Sequence, residues 1–186
     1  MADCIGTTRE RVKRVALELF ASQGYAETSL REIAERMEFT KAALYYHFRN
    51  KDDLLAELVD PLLEDLDRLI ADTPGLTVGL EARRALLGRL VTVLLAHRRL
   101  APLVFANPLV LGKSGIGDRV RARIQRLIES LAGPEPGVAE RIRAHNAVGV
   151  MRAVFVFHEA DETLLHDELV AQATAILEAP LQEWST

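Results

Sequence analysis

The residues with the most chemistry to offer lie in one run, Thr40-Lys41-Ala42-Ala43-Leu44-Tyr45-Tyr46-His47-Phe48, followed by Lys51. The run offers a hydroxyl, cations, two phenols, an imidazole and two small methyls. That set suits a groove wall made of phosphates and base edges. Thr40, Tyr45, His47 and Lys51 are candidates for phosphate, with Thr40 using its hydroxyl and the N–H groups of a helix start. Lys41 and Tyr46 are candidates for base edges, and the methyls of Ala42 and Ala43 could touch thymine methyls. Ser29 and Arg31, earlier in the chain, are candidates for backbone contact. The plainer alternatives are a Tyr45 packed on the core and a His47 that caps its helix. Leu44 and Phe48 read as core.

Two helix starts would position these groups. Ser29 with Glu32 forms a capping box, and Thr40 is a second N-cap. Leu30, Ile33, Ala34 and Met37 recur at helical spacing, and Leu44 and Phe48 continue the apolar face on the next helix. Only about two or three residues separate the helix ending near Met37 from Thr40, so the pair must cross sharply as a helix-turn-helix. Upstream, Thr7 and Glu10 make another capping box. Val12, Val15, Ala16, Leu19 and Phe20 form one buried stripe, and Gly24 ends that helix.

The stretch from Thr8 to Leu55 resembles the tetracycline-repressor (TetR) family of transcriptional regulators. Its most selective part is Thr40-Lys41-x-x-Leu44-Tyr45-Tyr46-His47-Phe48 with Lys51-Asp52-Asp53-Leu54-Leu55 after it. The resemblance implies that the second paired helix lies in the major groove. It also implies a homodimer built on the last two long helices, and a small-molecule pocket whose occupation changes the spacing of the two heads. Two departures stand out. Glu38 occupies the turn position where the family often has Gly, so a differently built turn is expected if positive φ is too strained. Ala42 and Ala43 replace a Gly and a polar residue, which leaves few side chains to read bases directly.

The rest of the chain reads as helical. An all-α fold is expected, with a three-helix head over residues 1–50, a ligand-binding and dimerisation body over 51–186, and about nine helices. A fourth helix starts near Lys51 and meets Pro61, which kinks it or starts a new one. Further helices are expected over 78–98, 100–106, 118–131, 138–158 and 162–179, separated by Gly- and Pro-rich turns. Residues Ala147 to Phe157 are apolar nearly all round, which predicts burial on more than one side. Ile142, Asn146, Gly149 and Ala153 make a narrow face suited to close approach, and Leu165, Leu169, Ala173 and Ile176 form a stripe on the last helix. These two helices are expected to pair with their copies in a second subunit.

For a small-molecule effector the aromatic and soft candidates are Phe105, Met151, Phe155, Phe157 and Trp184. His97, His145, Asn146, Arg152 and His158 are the polar ones. No metal is expected, because the histidines lack ligand spacing and Cys4 is the sole cysteine. No cofactor or enzymatic activity is expected either, since the sequence carries no nucleophile elbow, phosphate loop or dinucleotide fingerprint.

The net charge of −4 disfavours indiscriminate nucleic-acid binding. Through Lys51, however, nine Lys and Arg face seven Asp and Glu, whereas the remainder holds fourteen against twenty. The basic excess therefore sits on the head, where Arg9, Arg11, Lys13 and Arg14 are either a solvated face or further phosphate contacts. With no signal core and no membrane-length apolar run, a cytoplasmic protein is expected. The functional expectation is a ligand-responsive DNA-binding regulator, a repressor released from a palindromic operator by a small apolar or amphipathic molecule. The alternative is a helical interaction module or small helical enzyme that does not bind DNA.

Overall fold

A computed structural model describes residues 7–73, 79–100 and 115–180. Every regular element among them is helical. Cys4, Phe105, Trp184 and the helix expected over 100–106 beyond Leu100 lie outside the described residues.

Four helices open the chain: α1 (Thr8–Gln23), α2 (Leu30–Arg36), α3 (Lys41–His47) and α4 (Lys51–Ala71). Then come α5 (Leu80–Ala96) and a 3-10 turn at Arg98–Leu100, and after them α6 (Ile116–Ala132), α7 (Val138–Gly149), α8 (Ala153–Val156) and α9 (Glu162–Glu178). The fold is all-α, as the periodicity predicts. The fourth helix runs through Pro61 without a new start.

The chain divides into two compact units. The first holds α1 to α3 and α4 as far as Pro61, with Arg99–Leu100 and Gly115–Asp118. The second holds Leu62–Arg98 and the described chain from Arg119. The division therefore falls at Pro61 rather than at the residue 50 expected from the motif. Local chemistry explains the shift: Leu54, Leu55 and Val59 are fully buried, and Glu57 is gripped by Arg9 of α1 through its Nε and Nη2. The first turns of α4 thus belong to the head.

In the first unit, α1 buries Val12, Ala16 and Phe20, and α2 packs on both α1 and α3. The capping box at Thr7 and Glu10 is complete in both directions. Gly24 follows α1 with φ +93, a conformation open to glycine.

In the second unit, α9 packs along α5 and α7. At Gly88 the helices leave room for a methyl: a Cβ there would lie 3.7 Å from His166 Nε2 and 3.9 Å from Val170 Cγ2, both ordinary contacts. Leu165, Leu169 and Ala173 of the α9 stripe are buried within the single chain, so the stripe is used internally. The continuous helix expected over 138–158 is instead broken by a 3-10 turn at Val150–Arg152 and stops at Val156. Val148, Gly149 and Val150 are weak helix formers, and the apolar pattern does not register the change of winding. Burial is one-sided too. Met151 and Val154 are inside, whereas Val156 is 70% and Phe157 57% exposed, against the all-round burial expected.

Candidate nucleic-acid interface

The turn between α2 and α3 sets the geometry of the whole head. Met37 ends α2, and Glu38 follows with φ +58. Phe39 N–H donates to Ala34 O at 2.8 Å and Glu38 N–H to Glu35 O at 3.1 Å. This crossed pair is the Schellman closure that glycine usually makes. The turn is therefore built in the left-handed way despite its glutamate, and not differently, because two backbone hydrogen bonds and the buried Met37 hold it there. Thr40 then caps α3 by accepting from Ala43 N–H at 3.2 Å, and Ser29 caps α2 by accepting from Glu32 N–H at 3.1 Å. The carboxylate of Glu32 accepts from Gln23 Nε2 at 2.8 Å, so the hydroxyl half of the predicted Ser29 capping box forms while the carboxylate turns to α1.

Helix α3 is anchored by Leu44 and Phe48, which are 0% and 1% exposed. Its other face is bare. Lys41, Ala42, Ala43 and Tyr45 are exposed, and Tyr46 is 87% exposed. His47 is half-buried and meets the Tyr46 ring edge-on at 5.4 Å between centroids. Lys41 Nζ lies 5.5 Å from the centre of the Tyr45 ring, which draws cation and phenol together on one side of the helix. Thr40 is exposed beside them.

A shallow cavity of about 350 Å³ gathers Ser29, Leu30, Tyr45, Arg49, Asn50 and Lys51. It unites three candidates from separate elements and adds Arg49, an exposed cation not among the candidates read from the sequence. Its place beside a phenol candidate was the available signal. Arg31 stands exposed on α2 and pairs with Glu35 at 2.7 Å. On α1, Arg9 lies 4.8 Å over the Phe48 ring and Arg11 5.8 Å from the Phe39 ring, so both brace the head as well as carrying charge.

Lys51 has a different surrounding from the one expected of a phosphate contact. Its ammonium donates to the carbonyls of Tyr25 at 2.6 Å, Ala26 at 3.2 Å and Thr28 at 2.7 Å. An ammonium has three N–H donors, and three carbonyls take them.

The effector candidates are scattered. His145 and Asn146 line an open groove of about 690 Å³ between α6 and α7, together with Ile128, Glu129, Arg141 and Ile142. Met151 is buried, Phe155 half-buried, and Arg152 and His158 exposed. None of these four lines that groove. His97 is turned to Asp65, with Nε2 and Oδ2 2.6 Å apart. That hydrogen bond holds the Asp65 carboxyl below its usual range, with the Arg68 guanidinium adding to the effect. Among the described residues no cluster of His, Cys, Asp or Glu could hold a metal ion. No helix there is long and apolar enough to cross a membrane.

Residues 14–58, which cover this helix-turn-helix, match the family profile described as bacterial regulatory proteins, tetR family. The head is a TetR-family head. Over 51 residues it is 47% identical to the HTH-type transcriptional regulator AcrR of Shigella flexneri, covering 27% of this chain and 24% of that one. An HTH-type transcriptional regulator of Saccharopolyspora erythraea is 28% identical over 160 residues, covering 83% of this chain and 64% of the relative. The chain thus spans between 24% and 64% of the length of these curated relatives. Among solved structures, NalD, the secondary repressor of the MexAB-OprM multidrug efflux pump in Pseudomonas aeruginosa, superposes with a TM-score of 0.69 at 22% identity. That superposition covers 95% of this chain and 97% of that one, so the likeness of fold reaches beyond the TetR-family head.

Proposed function

We propose that the chain is a DNA-binding transcriptional regulator of the TetR type, acting as a repressor. The observation that carries this reading is the build of α3. Two buried anchors, Leu44 and Phe48, turn a face of cation, methyls and phenols outward. The face fits a major groove: Lys41 and Tyr46 reach base edges, Ala42 and Ala43 meet thymine methyls, and Thr40, Tyr45 and His47 meet phosphates, with Ser29, Arg31 and Arg49 at the flank. Relatives named as regulators and a structural neighbour named as a repressor support the assignment, and they support a non-enzymatic role.

One such head reads only a few base pairs, so the reading includes a homodimer on a palindromic operator. Exposed apolar groups on the last helices and beside them support the dimer: Val156, Phe157 and Leu164 are between 57% and 70% exposed and stand clear of the groove between α6 and α7. They make a better contact face than the α9 stripe, which is already buried. A small apolar or amphipathic effector opposes DNA binding through a coupling of about 1–3 kcal/mol. The groove holding His145 and Asn146 is its best-supported seat. A cytoplasmic location follows from this role.

A gel shift with the DNA flanking the protein's own gene tests the proposal. Binding to a palindrome that weakens steeply with added salt is the expected result. Absence of binding to any duplex at low salt would overturn it.

A further inference from the structure

Residues 24–29 join α1 to the cap of α2 and form no helix. Three of their carbonyls, those of Tyr25, Ala26 and Thr28, converge on the Lys51 ammonium at 2.6 to 3.2 Å. The same ammonium lies 4.3 Å from the centre of the Tyr25 ring, and the Tyr25 hydroxyl donates to Asp52 Oδ1 on the next residue of α4. Tyr25 is itself 8% exposed and meets Phe20 edge-on at 5.1 Å. Burial, and then the Asp52 carboxylate, push its phenol well above the usual tyrosine range, so it stays a donor. Thr28, 1% exposed, closes the loop from inside by donating to Gly24 O at 2.9 Å. The next residue is Ser29, the cap that fixes where α2 starts.

We propose that Lys51 is a positioning residue for the DNA-reading face: it clamps the 25–28 loop onto the start of α4 and so sets the direction in which α2 and α3 leave. The inference rests on the DNA-binding reading above. A cation surrounded by carbonyls is strongly held, because each bond is charge-assisted. A lysine that contacted phosphate would have to surrender these bonds. The clamp acts through the head, and the phosphate charges on DNA do not meet Lys51.

The clamp and a phosphate contact predict different salt behaviour. Each lost phosphate contact lowers the slope of log K against log salt by about 0.9. A positioning residue leaves the slope alone and lowers affinity at every salt concentration. Lys51→Met in the full chain should therefore bind its operator about tenfold more weakly, as when about a tenth of the heads hold the competent geometry. It should do so at unchanged slope, with faster amide hydrogen exchange over residues 25–33. A slope reduced by about 1.8, which is about 0.9 for each of the two Lys51 residues of the dimer, or unchanged affinity and exchange, overturns the proposal. Should Lys51→Met fail to fold, Lys51→Arg keeps the cation for any phosphate but cannot set a planar guanidinium among the three carbonyls as the ammonium is set. Weaker binding at constant slope with faster exchange in 25–33 supports the clamp, and wild-type behaviour discards it. If the wild-type protein binds no duplex, the DNA reading fails on its own. Exchange in Lys51→Met then decides the clamp: faster exchange keeps it, and equal exchange removes it.

Discussion

Replacing Glu38 by glycine should stabilise the head. Glu38 holds φ +58 in the turn that sets the α2–α3 crossing. A side chain in that region costs about 1–2 kcal/mol, from the clash of Cβ with the following carbonyl. Glycine removes the clash but gives the unfolded chain more freedom, which returns about 0.5–1 kcal/mol. At the midpoints of these ranges the net gain is about 0.8 kcal/mol. For a chain of this length that is a rise in Tm of about 1–4 °C. The hydrogen bonds from Phe39 to Ala34 and from Glu38 to Glu35 use backbone atoms only, so glycine keeps both. Glu38→Ala is the control, since it removes the same charge and keeps the Cβ. Thermal unfolding followed by circular dichroism at one protein concentration reads all three proteins. A glycine variant that melts at or below the wild type would refute the strain argument. So would an alanine variant that gains as much as glycine, because the gain would then come from charge.

Tyr46→Ala should weaken operator binding with little change in Tm, because the ring is 87% exposed and touches only the edge of its neighbour His47; a clear loss of Tm would show a structural role. Leu44→Ala, at a fully buried site, should cost about 2–5 kcal/mol and melt the head, measured by denaturant unfolding. Gly88→Ala should raise stability by about 0.5–1 kcal/mol, since its Cβ would meet only ordinary contacts at 3.7 Å and beyond inside a helix, and a lowered Tm would show that α5 and α9 are packed more tightly than that. Asp65 has a lowered folded pKa, so its share of stability is full above the unfolded aspartate value of about 4 and drains as pH falls below it. Asp65→Asn should flatten the stability profile on that acid side, and an unaltered profile between pH 5 and about 3 would contradict the contribution.

Much of the head was legible because its signals are local. Thr7, Ser29 and Thr40 cap helices whose orphan N–H groups lie within three residues of them, and Leu44 and Phe48 announce their burial by spacing alone. The outward face of α3 follows from the inward one. The body was less legible. The stripe of α9 reads equally well as a face for a second copy or for the same chain, and packing against α5 and α7 decided for the chain. The run from Val148 to Phe157 is apolar but for Arg152, so its break at Val150–Arg152 and the exposure of Phe157 left little trace in the pattern.

By itself, the sequence determined an all-helical chain, the helix-turn-helix and which residues of α3 point outward, since caps, turns and periodicity act over a few bonds. Only the tertiary structure decided the conformation of Glu38, the extension of the head to Pro61 and the partners of Lys51. The physical reason is reach. A lysine ends a long flexible stem, and the carbonyls it found lie more than twenty residues away along the chain. No local pattern records which acceptors the fold will bring within 3 Å.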